Sequence, residues 1–348
     1  MGSLFKNINN QRLIFIVGMA RTGTTLMARS LSKGPDLYFL NETHFMREYQ
    51  SYFLSDSLFE NDKLTAKFIN QFITIQRKDY YRKSEYQEYP DAVQKVNEQF
   101  NKKGEKNFAA LLRCLFEYEA NQKRKKHAGD QTPNHVFFID QILSHFPEAQ
   151  FINMIRDPRA VVLSQKNKWK AAKRQKQPLF EIIRAKINYH PITQSILWKR
   201  AVNSGNAAFQ RYGETKIIKV FYEQFVTEPK EHLQNVCEFI GTEYDEMMLE
   251  TSVSMSSNIS YAKKTVGFDS SLIDKWKTML SSSEIFLVEI ICGKDAAELG
   301  YQMSGKKPNY LWLLIYIAIF PFHVVLAYLL SASRFKNPFK TLKQMIFK

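Results

Sequence analysis

Short, mainly apolar runs stand at 13–17 (LIFIV), 37–40 (LYFL) and 150–155 (QFINMI). Runs of this length, the first of them rich in β-branched residues, predict strands buried on both faces, as in a parallel sheet. The first run leads through a glycine turn into a stretch with helical spacing at Leu26, Met27, Ser30 and Leu31, and the third leads into AVVLSQ at 160–165. Strand, turn and helix in this order predict an α/β fold, a parallel sheet flanked by helices on both faces.

One pattern near the C-terminus differs in kind. Residues 310–332 read YLWLLIYIAIFPFHVVLAYLLSA, with no charge between Pro308 and Ser333. A helix of that length spans a bilayer, and Trp312 and Tyr328 stand near its ends as interfacial residues do. A buried core helix would have the same composition. Lys306 and Lys307 precede the segment, and Arg334, Lys336, Lys340 and Lys343 follow it, so flanking charge sets no orientation. Pro321 permits a kinked or re-entrant helix with both ends on one side. Membrane lipid is the expected partner of residues 309–332.

Composition narrows the function classes. The chain has 348 residues, 45% of them hydrophobic, enough for one substantial core over its first 300 or so residues. Its formal net charge of +15 favours anionic partners: a nucleotide-like cofactor, a phospholipid surface or nucleic acid. The densest basic stretch, Lys166 to Lys176 around Trp169, fits a solvated helix face, an acidic acceptor or anionic headgroups. No nucleic-acid reader motif accompanies it, so nucleic acid is not an expected partner. Cys114, Cys237 and Cys292 are far apart and odd in number, which suits neither a disulfide framework nor a metal site; buried thiols are expected. The first apolar run is too short for a secretory signal.

Candidate chemistry begins at Gly18. The segment GMARTGTTL aligns Gly18, Gly23 and Thr25 with the phosphate-loop pattern G-x-x-x-x-G-K-[ST], but Thr24 stands in the lysine position. A helix start offers unpaired N–H groups and a positive dipole end to an anion. Loss of the lysine argues against nucleoside triphosphate hydrolysis, while Arg21 brings a planar fork suited to phosphate or sulfate oxygens. A glycine turn closing an ordinary βα unit has the same outline.

After the third strand comes Arg156-Asp157-Pro158-Arg159. Pro158 suits a first helical turn and Asp157 an N-cap. Arg156 therefore falls at the carboxyl end of a strand, the edge on which open parallel sheets bind ligands. Ser164 lies about two turns along the helix. A cap, a surface ion pair and a helix-surface serine would read identically.

Together the segments resemble the two cofactor signatures of the sulfotransferases that use 3′-phosphoadenosine 5′-phosphosulfate (PAPS). Arg21-Thr22-Gly23-Thr24-Thr25-Leu26 is similar to the family's 5′-phosphosulfate loop. Arg156-Asp157-Pro158-Arg159 through Ser164 is similar to its 3′-phosphate element. The likeness continues through GDQTPNHVFFIDQILSHFPEAQFINMIRDPRAVVLSQ (129–165), IIKVFYEQFVTEPKEHLQNVCEFIG (217–241) and a late tryptophan-to-LGY ending, Trp276 to Tyr301. It implies a sulfotransferase domain over 1–304 with a helical insert at about 50–128, followed by a hydrophobic segment and basic tail at 305–348.

The resemblance also implies roles. The 5′-phosphosulfate would lie on Arg21, Thr22, Gly23, Thr24 and Thr25, and the 3′-phosphate on Arg156 and Ser164, with no metal required. Tyr222 matches a tyrosine near the adenosine, although a core aromatic would also stand there. Ser260 and Lys264 fall in the segment that closes over the nucleotide in relatives. Glu42, in Leu40-Asn41-Glu42-Thr43-His44, resembles the catalytic glutamate of the tyrosylprotein sulfotransferase branch, and it would act as general base on an acceptor hydroxyl. His44 is the competing base. One departure stands out: many members carry a lysine where this chain has Gln131. The expected acceptor is membrane-presented, such as a glycolipid, a carbohydrate or another alcohol, with protein tyrosine also open. The catalytic part is expected to face the cytoplasm, where PAPS is made. Two alternatives stay open: a nucleotide kinase or NTPase with an altered loop, and a membrane-tethered protein that keeps the fold without catalysis.

Overall fold

A computed structural model describes residues 12–49, 52, 62–78, 87–251 and 268–331. They divide into two compact units, one comprising residues up to 155 together with 204–251, the other 156–203 together with the residues after 251.

The first unit is built on five parallel strands. Strand β1 (Ile14–Gly18) leads to helix α1 (Thr24–Lys33), and β2 (Leu37–Leu40) to the short α2 (Phe45–Glu48). Helices α3 (Asp62–Lys78), α4 (Pro90–Lys102) and α5 (Phe108–Gln122) follow before β3 (His127–Asp130). A 3₁₀ turn and α6 (Ile139–His145) then lead to β4 (Gln150–Ile155). The sheet order is β2-β3-β1-β4, closed at one edge by β5 (Ile217–Phe221). All four pairings are parallel, so every strand delivers its following loop to the same carboxyl edge.

The apolar runs explain the order. Every residue of β1 is buried, and so is every residue of β4 except Gln150, as central strands require. Phe15 stacks on Phe151 across the β1–β4 pair at 5.3 Å and meets Phe45, Phe116 and His135 on its other sides. Among the helices after β2, Arg77 clamps Glu119 with two bonds of 2.8 and 2.9 Å, fixing α3 to α5.

The second unit is helical. It holds α7 (Pro158–Lys166), α8 (Lys168–Arg174), α9 (Leu179–Ile187) and the first part of α10 (Pro191–Tyr212), which passes into the first unit after Asn203. In the first unit, α11 (Tyr222–Thr227) and α12 (Pro229–Ile240) follow β5. The second unit then resumes with α13 (Trp276–Met279), α14 (Ser282–Glu298) and α15 (Tyr310–Ser331). Ser281 and Glu284 form a complete capping box at the start of α14. Glu284 is fully buried and takes bonds from Lys166 Nζ (2.8 Å) and Tyr189 Oη (2.6 Å). The three cysteines are buried and free, as the sequence suggested.

Arg159 is the pin of this unit. It pairs with Asp157 at 2.7 Å and Glu289 at 2.8 Å, donates to the Gln302 carbonyl at 2.8 Å and lies 3.9 Å over the Trp276 ring. The late tryptophan and the residues after Tyr301 thus belong to the same knot as the RDPR turn. Arg159→Met removes the cation that Asp157 and Glu289 share, so it should cost about 3–5 kcal/mol in denaturant unfolding. A loss below about 1 kcal/mol would reduce the cluster to a surface ion pair.

Candidate active site

The first turn is shaped by close backbone approach. Gly18 has φ 141°, and a Cβ there would lie 2.4 Å from the Met154 carbonyl oxygen of the neighbouring strand. The Thr22 amide (3.2 Å) and hydroxyl (2.8 Å) both donate to the Met19 carbonyl, closing the turn. Arg21 is held at φ 80°, a conformation that costs a non-glycine residue energy and concentrates at functional sites. Gly23, at φ 98°, is the N-cap of α1 and lies so close to Tyr222 that a Cβ would sit 2.5 Å from the ring. Tyr222, the first residue of α11, therefore packs on the loop and is buried, as a core aromatic would be.

Helix α1 starts without a side-chain cap and without an acidic residue in its first turn. Its leading N–H groups and positive dipole end are left to whatever anion approaches the carboxyl edge of β1. Thr24 is buried there and Thr25 half-buried.

The ends of β2 and β3 are joined by a buried polar network. Asp130 has no exposed surface. It accepts from the Thr43 hydroxyl at 2.6 Å, the Thr132 amide at 2.8 Å and the Thr132 hydroxyl at 3.1 Å, while His135 Nδ1 lies 2.9 Å away. Burial alone would raise its pKa. The facing His135 imidazole, its hydrogen bond and those from Thr43 and Thr132 outweigh burial and hold the carboxyl below its ordinary value. Thr132 in turn accepts from the amides of Thr43 (2.9 Å) and His44 (3.3 Å), and Gln76 accepts from the Asn41 amide (2.9 Å). The segment 41–44 is therefore tied on both sides. Between the ties, Glu42 keeps its side chain 38% exposed and lies 3.1 Å from His44 Nε2. His44 adopts φ 50° and is buried.

Arg156 follows β4 directly and begins the second unit. Its backbone carbonyl accepts from Trp198 Nε1 at 2.8 Å, and the residue is buried. Asp157 caps α7 as expected, accepting from the Arg159 amide at 2.8 Å. Ser164 is buried within α7. Ser260 and Lys264 lie outside the described residues. Among the described residues no group of three or more His, Cys, Asp or Glu side chains is placed to hold a metal ion.

With this geometry in hand, comparison with known proteins decides the family. Residues 13–246 match the model of the sulfotransferase family. The chain belongs to that family. A Caenorhabditis briggsae protein provisionally named a protein-tyrosine sulfotransferase is 22% identical over 314 residues, covering 87% of this chain and 93% of its own. An omega-hydroxy-beta-dihydromenaquinone-9 sulfotransferase, Stf3 of Mycobacterium bovis, is 26% identical over 258 residues, covering 66% of this chain and 62% of its own. Among solved structures, the sulfotransferase domain from the curacin biosynthetic pathway aligns with a TM-score of 0.49 at 18% identity, over 84% of this chain and 99% of that one.

In this sulfotransferase, the loop 18–25, Glu42, Gln131 and Tyr222 all follow strands that end on one sheet edge. Asp130, Thr132, Thr43 and His135 were not among the residues that the motifs singled out. Their signal in the sequence is an aspartate ending a strand shortly before Thr-Pro.

His44 carries a pH signature. Burial lowers its pKa below the ordinary 6.5, and the bond to Glu42 only partly offsets this. The unfolded chain therefore binds the proton first, and stability contributed by neutral His44 is present above 6.5 and lost as pH falls below it. His127 is lowered in the same direction by burial and by Arg12. Unfolding free energy should drop between about pH 7.5 and 5.5, with a shallower slope in His44→Asn. An identical slope in the variant would exclude His44 from that dependence.

Proposed function

We propose that this sulfotransferase transfers the sulfuryl group of PAPS to a hydroxyl acceptor presented at a membrane, with Glu42 as general base. The observation that carries the proposal is the uncapped start of α1, held against β4 and joined to a strained Arg21. PAPS supplies an activated sulfuryl group and a phosphate leaving group. The donor set suits such an anion: amides at 23–25, the Thr24 and Thr25 hydroxyls, and a guanidinium, with no carboxylate in the first turn of α1.

Glu42 is the residue assigned to take the acceptor's proton as the new sulfur–oxygen bond forms. Arg21 and the α1 amides would stabilise the charge that builds on the departing bridging oxygen. Arg156 and Ser164 are assigned to the 3′-phosphate, Thr22 to holding the loop, and Tyr222 to the adenosine face. Ser260 and Lys264 keep their proposed place over the nucleotide. Gln131 is assigned to the leaving oxygen in place of a lysine. Its Oε1 is buried and lacks a hydrogen-bond partner among the described residues, as befits a group whose partner comes with substrate.

The membrane part rests on α15, whose span Tyr310–Leu330 has mean hydropathy 2.4 and is not buried. We assign the sulfotransferase domain to residues 1–304, with the helical insert at about 50–128 inside it, and membrane attachment to 305–348, with the domain on the cytoplasmic side. An apolar attachment favours acceptors that reside in or on the bilayer. One relative is named for a hydroxylated menaquinone and another for protein tyrosine, and the exposed apolar helix favours the lipid-like class.

Calorimetry on the full chain in detergent tests the donor site. It should show 3′-phosphoadenosine 5′-phosphate binding far more tightly than ADP, with loss of binding in Arg156→Ala. Failure of folded protein to bind the bisphosphate would remove PAPS from the proposal. Glu42→Gln should retain that binding and lower turnover by about 10²–10⁴-fold; unchanged turnover would pass the base role to His44. Gln131→Ala should reduce turnover with bisphosphate binding intact, and an unaltered rate would place Gln131 outside the site.

A further inference from the structure

We infer that α15 lies along one leaflet of an anionic membrane, with α8 and α9 beside it at the headgroups, and does not cross the bilayer. This rests on the membrane attachment proposed above and specifies its geometry.

The Asn309 carbonyl, at the start of α15, accepts from Ser283 Oγ of α14 at 2.8 Å. About 20 Å further along the axis, His323 Nε2 donates to the Ile187 carbonyl at the end of α9 (2.6 Å). Between them the buried His190 ring meets Tyr316, Phe320 and His323 at 5.8, 5.4 and 4.8 Å. Burial, with His323 second, pushes His190 down to about 4, so it is neutral in that contact. Protein thus accompanies α15 over most of the depth a crossing helix would occupy. Crossing would draw the end of α9, with Arg184 and Lys186, into hydrocarbon, which is costly for charged side chains.

The two faces of α15 fit the other arrangement. Leu311, Leu314, Phe322, Val325 and Leu329 recur at helical spacing and are strongly exposed, up to 76% at Phe322. Tyr316, Phe320 and His323 form the docked face. A helix apolar all round is what one protein-facing side and one lipid-facing side require. The apolar surface continues on α9, where Leu179 (71%), Phe180 (53%) and Ile183 (45%) are exposed on the stripe that leads to Ile187.

Charge identifies the occupant. From Lys166 to Ile187 there are eight Lys or Arg and one acidic residue, Glu181. Lys168, Lys170, Lys173, Lys176 and Lys186 are exposed, and Lys170 and Lys186 flank the Trp169 ring. Exposed apolar residues ringed by lysines suit an amphipathic surface at anionic headgroups. The basic residues on both flanks of α15 in the sequence agree with both ends lying on one side.

Spin labels test this on the full chain bound to phosphatidylcholine vesicles with or without phosphatidylglycerol. Cysteines are placed singly at Phe180, Leu314, Phe322 and Leu329; the three native thiols are buried, with pKa values pushed up to about 11, 11 and 12, and resist labelling. Accessibility to oxygen against a water-soluble nickel chelate gives depth. The expected result is a similar shallow depth at 314, 322 and 329, with 180 also inserted. A depth maximum at 322 with 180 in water would establish a crossing helix and overturn the inference alone. Labels at 314, 322 and 329 all in water would sink the membrane attachment itself, and concentration-dependent immobilisation without vesicles would assign the surface to a second copy of the chain. Lys168→Glu with Lys173→Glu should weaken binding to phosphatidylglycerol vesicles about tenfold; no weakening would remove the basic surface from the contact.

Discussion

The pairing of β1 with β4 up to its last residue is the constraint from which the candidate site follows. Gly18 still pairs with Met154, and their backbones approach too closely for any side chain at Gly18. The chain must therefore turn sharply with no Cβ to guide it, and Thr22 closes that turn with two bonds to one carbonyl. What comes out is a short loop with Arg21 in a strained conformation and a helix that begins abruptly at Thr24. The strain is tolerated because the sheet fixes one end of the loop and α1 the other.

Two strand-to-helix turns that look alike in sequence end up electrostatically different. The start of α1 has neither cap nor acidic residue, so its dipole is uncompensated. The start of α7 is capped by Asp157, whose carboxylate is in turn matched by Arg159. Uncompensated backbone amides are therefore a property of the first turn. At the second turn the knot of Asp157, Glu289 and Trp276 is gathered around Arg159.

How far these features could be read beforehand depended on whether they are local. The strand runs, the capping by Asp157, the burial of the cysteines and the glycine turn are set by neighbours in sequence, and period and composition disclosed them. Arg159 looked like one more motif cation, yet its partners Glu289, Gln302 and Trp276 stand over 100 residues away. Asp130 was hidden for the same reason: its value comes from Thr43, on a different strand's loop, and from His135 beyond a proline. The basic stretch 166–176 has no single helical face, because the chain breaks at Asn167 between α7 and α8. Charge density alone could not disclose that break.

The buried network at Asp130 also bears on the base role proposed for Glu42. A carboxylate on a loose loop would spend part of any catalytic advantage on being positioned. Here the residue after Glu42 is held by a hydroxyl bond to a fully buried carboxylate, and the residue before it by Gln76. Glu42 itself remains partly exposed. His44 completes the arrangement, because burial keeps the imidazole neutral and its Nε2 proton can point at Glu42. A neutral donor beside a carboxylate orients it without adding a second charge to the site. On this argument the neighbouring histidine serves the glutamate best by remaining unprotonated, and the fold, by burying it, favours that state.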